Sequence, residues 1–153
     1  MKQVKKVLIV CLGNICRSPT AEAVLKAKAK TRSIDIEIDS AGTINNHQGK
    51  GPDKRSMAAG ARRGYSFKGI VSRPVNDQDF EYFDYILAAD QQNKRDLLAR
   101  CPEQYKEKID LFLAFSDVPE IEIPDPYYGG EQGFELVLDL LDIASDQLLD
   151  KIG

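Results

Sequence analysis

The chain has 153 residues, 42% of them apolar, and a formal net charge of −3, which suffices for the core of one domain and speaks against a strongly basic nucleic-acid binder. No apolar run approaches the roughly 20 residues of a membrane-spanning helix, and no signal-peptide pattern precedes the first apolar stretch. The expectation is a cytoplasmic monomer, one domain over residues 1–153, with its three cysteines reduced and no membrane or nucleic-acid partner.

Strands and helices alternate along the chain. A strand over 5–10 carries the apolar run Val7-Leu8-Ile9-Val10 and reads as central. A helix over 19–30 follows, with Ser18 as N-cap, Pro19 at the first helical position and Ala21, Val24 and Leu25 along its length. The strand over 34–39 alternates Ile34, Ile36 and Ile38 with Asp35, Glu37 and Asp39, so it has one wet face or lies at an edge. A helix over 53–63, a strand over 85–89, a helix over 91–100 and a strand over 109–113 continue the alternation. A helix over 131–151 ends it, with Phe134, Val137, Leu138, Leu141 and Leu148 on a broad stripe. This order predicts an α/β fold, a four-stranded parallel sheet in the order 2-1-3-4 with helices on both faces. Winding then reverses between strands 1 and 3, leaving a ligand crevice at their carboxyl ends.

The segment Cys11-Leu12-Gly13-Asn14-Ile15-Cys16-Arg17-Ser18-Pro19 falls at that crevice. A loop running from a strand into a helix N-terminus gathers unpaired amides and the positive end of the helix dipole, which favour anions and a thiolate over a thiol. Cys11 is therefore the candidate nucleophile, and the backbone from Leu12 through Ser18 the candidate phosphate cradle, a nest of inward amides. Gly13 permits the tight path. Asn14 tolerates a left-handed backbone and can tie neighbouring loop segments together. Arg17 offers a planar fork for two phosphate oxygens, gaining most as charge shifts in phosphoryl transfer. Ser18 can donate to the sulfur of Cys11. Alone, Cys11 would read as a small buried hydrophobe. A Walker-type loop is excluded because no Gly-Lys-Ser/Thr follows, and a dinucleotide loop because Gly13 lacks glycine partners at the required spacing. Cys11 and Cys16 do not form a C-x-x-C pair, and with a single histidine, His47, no metal and no cofactor are expected.

Together with Asp125-Pro126-Tyr127-Tyr128-Gly129, the loop resembles the signature of the low-molecular-weight protein tyrosine phosphatases, C-x5-R-S near the N-terminus and an Asp-Pro acid loop near the C-terminus. Asp39-Ser40-Ala41-Gly42-Thr43, Pro52-Asp53-Lys54-Arg55 and Phe83-Asp84-Tyr85-Ile86-Leu87 resemble further family blocks, so the similarity spans nearly the whole chain. The resemblance implies hydrolysis of phosphotyrosine in proteins, and of small aryl phosphates, through a phosphocysteine. Chemistry asks for a proton on the departing aryl oxide, and Asp125 is the candidate acid, then the base for attacking water. Without Cys11, Asp125 would read as turn chemistry between two prolines.

Leu12, Ile15, Tyr127 and Tyr128 are expected to line a deep apolar slot for a phenyl ring. By resemblance, isoleucine at position 15 accompanies phosphotyrosine, where threonine accompanies phosphoarginine. Two positions depart from the family pattern. Asn46 stands where many relatives carry an aromatic slot wall, and Ile70 near a histidine that braces the cradle asparagine. Support for Asn14 is then expected from Ser40. Cys16 is the candidate redox partner of Cys11. His47 is expected at the surface, and Asp90 either orients loop amides or caps the following helix, outside the catalytic set. The basic stretch Lys50, Lys54, Arg55, Arg62 and Arg63 reads as a solvated face. Rival readings are a thiol-dependent arsenate reductase, which needs relay cysteines, and a non-catalytic phosphotyrosine-binding module.

Overall fold

A computed structural model describes residues 4–126 and 130–153. Its strands are β1 (Lys5–Cys11), β2 (Ile36–Gly42), β3 (Tyr85–Ala88) and β4 (Ile109–Leu111); its helices are α1 (Arg17–Thr31), α2 (Lys54–Arg62), α3 (Asp77–Tyr82), α4 (Gln91–Arg100) and α5 (Glu131–Ile152). The strands form one parallel sheet in the order β2-β1-β3-β4, as the alternation predicts. β2 is an edge strand, which accounts for its acidic alternate residues.

Successive side chains of a strand point to opposite faces, so the apolar run of β1 feeds two cores at once. Val7 and Ile9 pack with α1 and α5; Leu8 and Val10 pack with Phe80 of α3 and Leu97 of α4. All four β1 residues are fully buried, each contributing roughly 1.5–3 kcal/mol of burial free energy. That double burial clamps the carboxyl end of β1, where Cys11 pairs in register with Gly42 of β2.

Several details differ from the sequence expectations. α1 begins at Arg17 with Cys16 as N-cap, two residues earlier than expected, so Ser18 is not the cap. Its hydroxyl is taken by tertiary partners instead. α3 was not expected, although Asn76 and Asp79 form a reciprocal capping box at its start. The strand expected over 109–113 stops at Leu111, where the chain tightens into a short 3-10 helix over Phe112–Phe115. A second 3-10 helix spans Glu103–Lys108. The basic stretch is solvated as expected at Lys50, Lys54, Arg55 and Arg62, which are exposed, but its arginines also make tertiary contacts. Arg63 donates to Glu135, Asp139 and Asp142 at 2.8–2.9 Å and Arg62 to Glu135 at 2.8 Å, tying α2 to α5, while Arg55 stacks over Phe134. Tyr65 adds a hydrogen bond from its hydroxyl to Asp142. Among the described residues no helix is long and apolar enough to cross a membrane.

Candidate active site

Cys11 ends β1, and the chain then curls through residues 12–16 into α1, which puts the sulfur at the mouth of the loop. Asn14 sits at φ 57°, the left-handed backbone expected of it. Its N–H donates to Cys11 Sγ at 3.3 Å, and Ser18 Oγ lies 3.0 Å from the same sulfur. Asn14 Nδ2 donates to Ser18 Oγ at 2.8 Å, so the hydroxyl keeps its own hydrogen for Cys11 Sγ, the nearer acceptor than Ala41 O at 3.5 Å. The second Nδ2 hydrogen goes to Ser40 Oγ at 3.0 Å, the support expected in place of a histidine. Ile70 packs in a small apolar cluster with Ala23 and Phe67. Asn14 is 1% exposed and each polar atom of its side chain is paired, because Oδ1 accepts from Arg73 N at 3.0 Å.

This bracing continues outward through residues the sequence reading did not single out. Ser40 Oγ donates to Glu22 Oε1 at 2.5 Å, and Lys26 meets the other Glu22 oxygen, which satisfies a carboxylate only 3% exposed. Arg73 clamps Asp39 of β2 and Asp79 of α3 with its guanidinium while its backbone holds Asn14. Glu22 carries no local signal beyond its place on α1, and Arg73 lies in an irregular segment.

Arg17, in the first turn of α1, is 5% exposed. Its Nη1 donates to Asp90 Oδ2 at 2.7 Å and to Ile123 O at 3.1 Å. Burial alone would weaken its charge, but Cys11, Asp90 and Asp125 outweigh that and hold the guanidinium above its usual range. Asp90 thus both caps α4, through Asn93 N at 2.7 Å, and anchors Arg17, a role beyond the two considered for it. Its position just past central β3, at the crevice, was the available signal.

Over the loop opens a pocket of about 250 Å³. Cys11, Arg17 and Asp125 share its lining with Leu12, Ile15, Ile44 and Asn46. His47 also lines it, half-buried, so the surface placement expected for this residue is corrected. A Cβ on Gly13 would come within 2.9 Å of His47 Cδ2, so the glycine is needed here for close approach. Gly42 is needed likewise, since its Cβ would lie 2.7 Å from Leu12 O. Leu12 is 44% exposed at the rim. Tyr127 and Tyr128, expected as slot walls, lie outside the described residues. A larger cleft, about 500 Å³, opens near Ile34, Ile36 and Ile152, but it has no sulfur or guanidinium and no part in this chemistry.

Cys16 caps α1, is buried, and contributes to the lining of the same pocket. Burial, then Asp53, push its thiol up to about 12 against a hydrogen bond with Ser56, with Cys11 and Asp125 adding to the rise. It is a protonated thiol at neutral pH. Cys101 lies in the core on the other face of the sheet from Cys11, so the two cysteines form no relay.

Fold and site together define an α/β protein with a cysteine seated in a loop that runs from a central strand into a helix N-terminus. The chain belongs to the low molecular weight phosphotyrosine protein phosphatase family, whose model matches residues 6–153. It is 42% identical over 139 residues to the low molecular weight phosphotyrosine protein phosphatase of Gallus gallus, covering 88% of this chain and 87% of that one. Its fold is similar to a crystal structure of protein tyrosine phosphatase from Entamoeba histolytica, with a TM-score of 0.93, 48% identity and coverage of 97% and 96%. It is equally close in shape to YfkJ from Bacillus subtilis, TM-score 0.93, at 38% identity with coverage of 99% and 96%.

Proposed function

We propose that this chain is a protein-tyrosine phosphatase, one phosphatase domain over 1–153, hydrolysing phosphotyrosine in proteins and small aryl phosphates through a phosphocysteine on Cys11. The carrying observation is the sulfur of Cys11, hydrogen-bonded by Asn14 N and paired with Ser18 Oγ, facing the same pocket as the anchored guanidinium of Arg17. The Entamoeba structure holds Hepes in its active site. Hepes carries a tetrahedral sulfonate, the shape for which the loop's donors are suited.

In the proposed reaction the thiolate of Cys11 attacks phosphorus while loop amides from Leu12 to Ser18 and two donors of Arg17 hold the peripheral oxygens. Nη1 is committed to Asp90 and Ile123, and among the described residues Nε and Nη2 have no hydrogen-bond partner. The P–O bond breaks toward the aryl oxide, which takes the proton of Asp125. Water then attacks the phosphocysteine and gives its proton to the same carboxylate, and the sulfur leaves with the Ser18 hydroxyl beside it. Leu12, Ile15 and Asn46, with Tyr127 and Tyr128, would enclose the phenyl ring. The proposed enzyme works as a cytoplasmic monomer without metal or cofactor. The direct test is rapid quenching during turnover, followed by mass spectrometry of the Cys11 peptide: bound phosphorus is expected, and its absence overturns the proposal.

Asp125→Ala should slow phenyl phosphate by about 10²- to 10³-fold and an aryl phosphate with a strongly acidic leaving group far less, because only the basic oxide needs the proton. Equal losses across a leaving-group series would remove Asp125 from the acid role.

Cys16 fits a protective role. Peroxide oxidises Cys11 to a sulfenic acid; the Cys16 thiol then displaces its hydroxyl, forming a disulfide and releasing water, and added thiol restores both sulfurs. Cys16→Ser is expected to regain less than half of its activity under conditions where the parent recovers fully. Full recovery by the variant would assign Cys16 a packing role alone.

A further inference from the structure

The peptide joining Gly13 to Asn14 is gripped from both sides. Its N–H points to Cys11 Sγ at 3.3 Å, and its carbonyl, on the opposite side of a trans peptide, accepts from Ser72 Oγ at 3.0 Å. Asn14 holds φ 57°, a region that residues other than glycine enter at a cost. Turning this one peptide over would move Asn14 to an ordinary φ and withdraw the N–H from the sulfur. The side-chain bonds of Asn14 to Ser18, Ser40 and Arg73 fix its Cβ, about which the preceding peptide can still rotate. Two bonds oppose the turn directly, the long contact of the N–H with sulfur and the shorter bond to the Gly13 carbonyl from Ser72.

Ser72 is built to supply it. The residue is 4% exposed, its N–H donates to Lys50 O at 2.8 Å, and its own carbonyl accepts from Gly49 N at 2.9 Å. The next residue, Arg73, is held by Gly42 N and by the Asp39 and Asp79 carboxylates. The hydroxyl is therefore delivered from an anchored backbone on the outside of the loop.

We propose that Ser72 is a positioning residue for the phosphate loop: its hydroxyl latches the Gly13 carbonyl outward and so keeps the Asn14 amide directed at sulfur and bound phosphate. The inference rests on the phosphatase reading for its purpose, and on the geometry of the 13–14 peptide for its substance. A buried hydroxyl with no such role gives the comparison. Ser145 in α5 is 0% exposed and, among the described residues, its Oγ has no hydrogen-bond partner.

The experiment compares parent, Ser72→Ala and Ser145→Ala for affinity toward inorganic phosphate and for the shift of the Asn14 amide resonance at saturating phosphate. Ser72→Ala is expected to bind phosphate about tenfold more weakly, the scale of one lost hydrogen bond, with kcat/KM for p-nitrophenyl phosphate falling in step. Its Asn14 amide shift should shrink as well, which mere loosening of the fold would not produce at saturation. Ser145→Ala should match the parent. Where Ser72→Ala folds poorly, Ser72→Cys fills the space with a weak donor and carries the same expectation. Parent-like phosphate affinity in the Ser72 variant, or an unchanged Asn14 shift, overturns the latch. A parent that binds phosphate but hydrolyses no aryl phosphate overturns the phosphatase reading instead, and leaves the latch to be judged on binding.

Discussion

Cys11→Ser is expected to lower aryl phosphate turnover by about 10⁴-fold or more while phosphate binds nearly as well as to the parent. Serine is close in size to cysteine, so it can keep the partners Asn14 N and Ser18 Oγ that surround the sulfur. Its hydroxyl, unlike a thiol, does not ionise in the neutral range even in a cradle of donors, and an un-ionised alcohol is a poor nucleophile toward phosphorus. The two measurements separate chemistry from binding. Turnover within about tenfold of the parent would mean that the attacking atom lies elsewhere.

Arg17→Lys should cost about 10³-fold in kcat, the lower end of what an arginine contributes to phosphoryl transfer. The charge survives the substitution and the geometry does not, since lysine is a point charge while the guanidinium is a fixed fork. Asp90 and Ile123 hold one arm of that fork at 2.7 and 3.1 Å, which orients the other arm toward the pocket before any substrate arrives. A shorter, unforked side chain makes neither anchor and grip together. The loss should fall mainly on kcat, with KM moved less, because the grip tightens as charge builds in the transition state. If KM rises while kcat stays at the parent value, Arg17 serves ground-state binding alone. Asp90→Asn provides a graded companion: it keeps a hydrogen-bond acceptor for Nη1 but removes the charge, and should lie between parent and Arg17→Lys.

Both predictions concern residues legible in the primary structure, and that legibility has a local cause. Cys11 and Arg17 are six positions apart, close enough that a strand end, a tight loop and a helix start bring them together. Asn14 was readable for the same reason, as a residue suited to left-handed backbone within the loop. The sheet order was legible because β1 is apolar without a break from Val7 to Cys11, whereas the β2 segment alternates Ile36 and Ile38 with Glu37 and Asp39, which is the difference between a strand covered on both faces and one at an edge.

What supports the loop was less visible. Asp90 lies 73 residues from Arg17, and Ser72 lies 59 from Gly13, so no spacing rule connects either pair. The ion pairs of Arg62 and Arg63 escaped notice because their carboxylate partners lie on α5, far along the chain. His47 looked like a surface residue because its neighbour Gly13 shows only in three dimensions that it leaves room for an imidazole. The early start of α1 escaped for a related reason. Its first nine residues are all buried, so no polar face marks the turn, and the hydroxyl of Ser18 that resembles a cap is drawn to Cys11 and Asn14.

By itself, then, the order of residues determined the chemistry on offer and the layered parallel sheet, because thiol, guanidinium and strand periodicity are properties of short segments. Only the tertiary structure decided which distant carboxylates, hydroxyls and backbone groups hold those few atoms in place. Preorganisation of this kind depends on hydrogen bonds between segments that meet only after the sheet has assembled, and their partners are chosen by packing rather than by sequence distance.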